Sequence, residues 1–273
     1  MERLQAFFLA LIQGVSEFLP VSSSAHLILP AQLLGWPDQG LLFDVAVHVG
    51  SLAAVVFYYR HELRQMASAW CSSLLPGRTL DVSTNAQARL AWLLVLATLP
   101  ALLAGLVGKS FVEQHLRSTA VIATTTIVFG LLLGLAEWRG RQVRQAVTLS
   151  ANLAVLIGLA QVLALVPGTS RSGVTITAAV LLGMSRREAA NFSFLLSIPI
   201  IAAAGMLLSL DLLDAPGEFD PVLLGMAVLV SALSAWSCIA LFLRLIERIG
   251  LMPFVWYRLA LGAVLLWFVA QGS

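Results

Sequence analysis

The chain is 273 residues long, 59% hydrophobic and 11% charged, with a formal net charge of +2 and a mean hydropathy of +0.92. A soluble domain of this length cannot hide that much apolar surface, and the charge is too small to argue for a nucleic-acid partner. The sequence is that of an integral membrane protein. With no alternating strand pattern of the outer-membrane type, the expected fold is all-α, a polytopic helical bundle that satisfies its backbone hydrogen bonds internally.

In chain order, the first apolar run covers 4–19. Arg3 ahead of it gives the look of a signal peptide, but no small-residue cleavage site follows, so the segment is expected to be retained. It is too short to cross a bilayer and runs directly into "EFLPVSSSAH", Glu17 to His26, which reads as the turn of a re-entrant half-membrane hairpin. Three runs of spanning length follow, at roughly 41–59, 90–108 and 119–136. A second short run, 151–166, ends in "PGTSRSG" and reads as a second re-entrant hairpin; three more spans come at roughly 189–210, 222–243 and 252–270.

Within the spans, Asp44 and His48 share a helix face at i, i+4, turned either to a polar cavity or to a neighbouring helix. "GLLLG" at 130–134 reads as a small-residue packing surface. Arg258, near the end of the last span, is expected to snorkel to the interface.

Placement of the basic residues orients the chain. If the segments after 59, 136, 184 and 243 face the cytoplasm, that side holds Arg60, Arg64, Arg78, Arg89, Arg139, Arg141, Arg144, Arg186, Arg187, Arg244 and Arg248. The other side keeps Arg3, Lys109 and Arg117 with the acidic loop 211–220, and both termini then lie outside. Cys71, in a cytoplasmic loop, and Cys238, inside a span, are read as ordinary packing residues rather than a disulfide.

The two short runs repeat one another. "QGVSEFLPVSSSAHLIL" from Gln13 and "QVLALVPGTSRSGVTIT" from Gln161 are each an apolar half-helix, a proline, a knot of hydroxyls and a second short helix. Pro167 follows Pro20 by 147 positions and Phe192 follows Phe43 by 149, so the offset extends beyond the motif. The expected organisation is a first repeat over 1–138 and a second over 150–270, each a hairpin plus three spans, in one membrane domain. An odd number of spans per repeat inverts the second copy. Non-helical backbone at membrane depth must be buried in protein or line a wet cavity, so both knots should share one polar site.

Glu17 lies one helical turn after Gln13 on the same face, and past Pro20 come Ser22, Ser23 and Ser24, good N-cap residues, with His26 within reach of Ser22 or Ser23. The second knot offers Ser170 and Ser172 around Arg171, with glycines at 168 and 173. Two helix amino termini, a guanidinium and several hydroxyls suit a phosphate or pyrophosphate. A carboxylate in such a site calls for a divalent cation, Mg²⁺ or Ca²⁺, with Glu17 as ligand and Gln13 as a weak neutral helper. A hydroxyl beside an imidazole with Arg opposite provides the parts for phosphoryl transfer. Ser22, Ser24, Ser170, Ser172 and Thr175 are assigned as hydroxyl donors to phosphate.

Through "QGVSE", "FLPVSSSAH", "PGTSRSGVT", "FSFLLSIP" and "PFVWYRLALG" the chain resembles the bacterial undecaprenyl-pyrophosphate phosphatases of the bacitracin-resistance type over essentially its whole length. The resemblance implies hydrolysis of undecaprenyl pyrophosphate to undecaprenyl phosphate, recycling the lipid carrier for wall polymers. It also implies a multi-pass protein of the bacterial inner membrane whose site opens to the periplasmic side. By position it makes Glu17 the essential acidic residue, Ser23 the candidate nucleophile, His26 the acid/base and Arg171 the phosphate-binding arginine. Gln13 stands where many members carry Glu and supplies no second negative charge. Attack by Ser23, by His26 or by metal-activated water stays open, as does assembly as a homodimer. The alternative reading is a polyprenyl-phosphate transporter or flippase; an ion channel fits less well, since one arginine facing several hydroxyls makes a poor selectivity ring.

Overall fold

The computed structural model describes residues 2–37, 39–74, 85–141, 146–214 and 220–271. They form helices α1 (Arg3–Phe18), α2 (Ser23–Leu34), α3 (Leu41–Tyr58), α4 (Arg60–Leu74), α5 (Ala86–His115) and α6 (Thr119–Gly140). The second half holds α7 (Ala151–Val162), a 3₁₀ turn (Leu163–Leu165), α8 (Arg171–Leu181), α9 (Arg186–Asp214), α10 (Pro221–Ile249) and α11 (Met252–Ala270). Among the described residues there is no strand.

Among the described residues six helices are long and apolar enough to cross a membrane: Leu41–Tyr58, Ala86–Gly108, Thr119–Gly140, Arg186–Ser209, Pro221–Ile249 and Met252–Ala270. They coincide with the six expected spans, mostly extended by a turn at capped ends. Asn85 accepts from the amides of Gln87 and Ala88, both at 3.0 Å, and so starts α5 before its apolar run begins. Asp220 does the same for Val222 and Leu223 with Pro221 at the first helical position of α10.

One element escaped the sequence reading. The segment expected as a loop around Cys71 is helix α4, which packs on α5 through Trp70 and Trp92, ring centroids 5.7 Å apart. Its apolar stripe is too narrow to register as a span, so tertiary contact supplies most of its stability. Arg78, Arg144 and residues 215–219 of the acidic loop lie outside the described residues.

Helix contacts are reciprocal between the halves. α1 packs on α10 as α7 packs on α5; α3 meets α10 as α9 meets α5; and α3 with α9, α6 with α11, join the halves directly. Close approach is bought with small residues: no Cβ would fit at Gly14 or Gly50 against α10, nor at Gly158 against the Ala97 carbonyl of α5. The "GLLLG" reading holds as well, since a Cβ at Gly130 would press on Arg258 and one at Gly134 on Val255 of α11.

At the arginine-rich end, Glu137 is 1% exposed and fully engaged. It accepts from Arg186 at 2.7 and 2.9 Å, from Arg141 at 2.9 Å and from the Leu251 amide at 3.3 Å, tying α6, α9 and the α10–α11 turn together. A buried carboxylate is tolerable only with such pairing.

Candidate active site

Pro20 ends α1, and the chain reverses through Ser22, whose φ is +74°, into α2. In the second half Pro167 and Gly168 lead to Ser170, φ +70°, and into α8. These are the two non-glycine residues with positive φ among the described residues. Each caps the helix that follows: Ser22 Oγ accepts from the Ala25 amide (3.4 Å) and Ser170 Oγ from the Gly173 amide (3.1 Å). Each also meets the serine two residues on, Ser24 at 3.2 Å and Ser172 at 3.3 Å. A backbone conformation that costs an L-residue on the order of 1 kcal/mol, used twice at matching places, marks a site held by its surroundings.

The knots are bonded to each other. The Gly168 amide donates to Ser24 Oγ (3.1 Å), and Ser172 Oγ donates to the Leu19 carbonyl (2.8 Å). Between them lies Glu17: its Oε1 pairs with Arg171 Nη2 at 3.2 Å, and its Oε2 accepts from Gln13 Nε2 at 3.0 Å and from Ser23 Oγ at 3.2 Å. Arg171 also donates to the Ser193 carbonyl (3.0 Å) and lies over the Phe18 ring. The expected group of Gln13, Glu17, Ser23 and Arg171 is therefore assembled, with the side chains of the ion pair only 9% and 11% exposed.

Other expected residues fall elsewhere. His26 does not approach the Ser23 hydroxyl: its Nδ1 bonds the Ser22 carbonyl (2.6 Å) and its Nε2 the Tyr257 hydroxyl (2.6 Å), against whose ring it stacks. The i→i+4 geometry that brings His26 near Ser22 delivers its ring to the N-cap carbonyl, which also accepts from the His26 amide at 3.4 Å. Ser172 is buried on Leu19, and Thr175 Oγ1 is buried between the Arg171 carbonyl (2.9 Å) and Ser193 Oγ (2.7 Å), so both hydroxyls are engaged within the protein and neither lines the cavity. Ser22, 1% exposed, acts first as a cap, while Ser23, Ser24 and Ser170 border the cavity.

Two further residues complete the site. His48 lines the cavity from α3; its Nδ1 bonds the Asp44 carbonyl (2.7 Å), which leaves Nε2 facing Gln13 Nε2 at 3.3 Å. Arg258 corrects the snorkelling expectation. It is fully buried, and its guanidinium donates to the carbonyls of Thr126 (3.1 Å), Gly168 (3.0 Å), Thr169 (3.0 Å) and Pro20 (3.4 Å). It thus grips the backbone of both knots, with no carboxylate partner among the described residues. The usable signal was an arginine seven places into a 19-residue apolar helix, too deep to keep without a specific partner.

The cavity, about 330 Å³, is lined by Glu17, Ser22, Ser23, Ser24, His48, Ser170 and Arg171 on its polar side and by Ala164, Leu165, Ile200 and Ile201 on the other. It borders a polar chamber carrying Gln39, Asp44 and Arg117, at the end where α3 and α6 begin. On its apolar side it borders a groove between α5 and α9 lined by Leu102, Gly105, Ala203, Leu207 and Leu208. A charged headgroup and a long apolar tail would each find a matching surface.

Among the described residues there is no cluster of three or more acidic, His or Cys side chains for a metal. Gln13, whose Nε2 donates to Glu17, keeps a buried Oε1 with no hydrogen-bond partner among the described residues. One carboxylate and one amide oxygen fit a divalent cation carried mainly by substrate phosphates.

A protein from Saccharophagus degradans named undecaprenyl-diphosphatase is 54% identical over 271 residues, covering 98% of this chain and 100% of its own length. A second with the same name, from Teredinibacter turnerae, is 52% identical over 265 residues, covering 97% and 98%. The model of the family described as bacitracin resistance protein BacA matches residues 6–264, a stretch that takes in both serine knots, Glu17, Arg171 and Arg258, and the chain belongs to that family.

Proposed function

We propose that this chain hydrolyses undecaprenyl pyrophosphate to undecaprenyl phosphate and inorganic phosphate, recycling the lipid carrier for cell-wall synthesis and conferring bacitracin resistance. The observation that carries the reading is the shared carboxylate: Glu17 accepts from the Ser23 hydroxyl and pairs with Arg171 in a cavity that is polar on one side and borders an apolar groove on the other.

In this mechanism the prenyl chain lies along the α5–α9 groove and the pyrophosphate enters between the knots. Ser23 Oγ attacks the terminal phosphorus while its proton passes to Glu17 Oε2; the bridging P–O bond breaks, and undecaprenyl phosphate departs with the electron pair. Arg171 and the hydroxyls of Ser24 and Ser170 hold the phosphate oxygens. Water then attacks the phosphoserine, its proton passing to His48 Nε2, and Glu17 returns a proton to Ser23 as inorganic phosphate leaves. His26 fixes the first turn of α2 between Ser22 and Tyr257. Arg258 positions both knots and adds a positive charge behind them. A divalent cation on Glu17 and Gln13 Oε1 would offset phosphate charge and polarise the P–O bonds.

The same reading places the protein in the bacterial inner membrane with the site open to the periplasm. Supporting this, the polar chamber lies at the end away from the arginine-rich termini of α6, α9 and α10. Two inverted repeats, 1–138 and 150–270, account for the reciprocal helix contacts and the paired positive-φ serines.

The deciding experiment is phosphate release from undecaprenyl pyrophosphate by purified protein in detergent, with and without chelator, for the wild type and for Ser23→Ala, Glu17→Ala and Arg171→Ala. Release by the wild type only with divalent cation, and none by the variants, supports the scheme. No release by the wild type under either condition sinks it.

A further inference from the structure

Gln161, on α7, lines the cavity that holds Glu17, Ser23 and Arg171, and it is 1% exposed. Neither its Nε2 nor its Oε1 has a hydrogen-bond partner among the described residues. A buried carboxamide with both ends unpaired forfeits its hydration without return, and such groups in folded proteins call for a specific explanation. Its counterpart at the matching place in the first half, Gln13, is equally buried but donates to Glu17 and faces His48. Helix α7 could carry an apolar residue here at lower cost, as it does at the neighbouring Ile157 and Ala154, both fully buried.

Resting on the phosphatase reading above, we propose that Gln161 is a substrate-binding residue of the diphosphate site, its Nε2 donating to a phosphate oxygen and its Oε1 accepting from a water beside that phosphate. The amide is stationed where the polar wall passes into the apolar one: Ala164 and Leu165, one turn on, line the cavity, and Leu165 continues into the α5–α9 groove. A neutral donor suits this place, because Arg171 already carries the charge and is shared with Glu17. In the substrate-free protein the unpaired amide lowers stability; in the complex it becomes a hydrogen bond to a charged oxygen, which is among the stronger kinds.

Two roles predict opposite signs for one substitution. Gln161→Met keeps the length and removes both polar atoms. A binding role predicts a kcat/KM for undecaprenyl pyrophosphate about 10- to 100-fold lower, together with a melting temperature equal to or about 2 °C above wild type in the same detergent. Gln161→Glu keeps the shape and turns a carboxylate toward the phosphates, and its kcat/KM is expected to fall further. If both variants stay within threefold of the wild-type kcat/KM, or if the methionine variant melts lower while turning over normally, Gln161 is a packing residue and the proposal is overturned. Should the methionine variant fail to fold, its side chain is needed for structure, and the glutamate variant's kcat/KM decides alone. A wild type that releases no phosphate sinks the phosphatase reading itself, a different result from active wild type with indifferent Gln161 variants.

Discussion

The two serine knots share a backbone and divide a chemistry. Both reverse the chain after a proline, both place a serine at positive φ as the cap of a short helix, and both set a second serine against that cap. The first then contributes a carboxylate, Glu17, and the hydroxyl bonded to it, Ser23; the second contributes a guanidinium, Arg171, and a glycine amide that bonds the first knot. On the proposed mechanism, one turn would supply the nucleophile and the other the phosphate clamp. The scaffold requirement is symmetric, the chemical requirement is not, and the residues differ where the chemistry does.

The sharpest way to break that division is at the clamp. Arg171→Lys retains charge but loses the planar fork that reaches both Glu17 and the Ser193 carbonyl, and phosphate release is expected to fall about 1,000-fold. Turnover within tenfold of wild type would mean that the second knot supplies charge alone. Next comes the residue that holds the knots in register. Arg258→Met leaves buried carbonyls in both knots without their donor, and unfolding in detergent should cost about 4 kcal/mol less than for the wild type. An unchanged denaturation midpoint would show that the knots hold one another without it.

On the first-knot side, His48→Gln removes the imidazole while keeping an acceptor near Gln13. A loss of about 100-fold in steady-state turnover, with labelled phosphate accumulating on Ser23, is expected from the loss of the second-step base. Equal loss with no label on Ser23 would move the residue to the first step. The smallest effect tests the symmetric part. Ser170→Ala and Ser22→Ala should each destabilise by about 1 kcal/mol through loss of the cap, whereas the glycine variants, relieved of the positive-φ cost, should be nearly neutral in thermal melts. Unequal responses of the two serines would show that only one knot is under strain.

Much of this was legible in the chain. The six spans, the two short interrupted helices and the repeat offset follow from local pattern: helix length against bilayer thickness, proline as a stop, and prolines 147 positions apart each followed by a serine-rich turn. Helix α4 was less legible because its stability comes from packing on α5.

The sequence by itself determined the class of the protein, the places where its helices break and the inventory of polar groups at those breaks, because these depend on short-range sterics and on the cost of charge in lipid. Only the tertiary structure decided which groups meet. Spacing put His26 near Ser23, yet a residue 231 positions away, Tyr257, holds its ring; Arg258 and Gln161 gained their meaning only when α11 and α7 were folded against the knots. Hydrogen-bond partners across helices depend on side-chain direction and crossing geometry, and neither is written in the periodicity of a single helix.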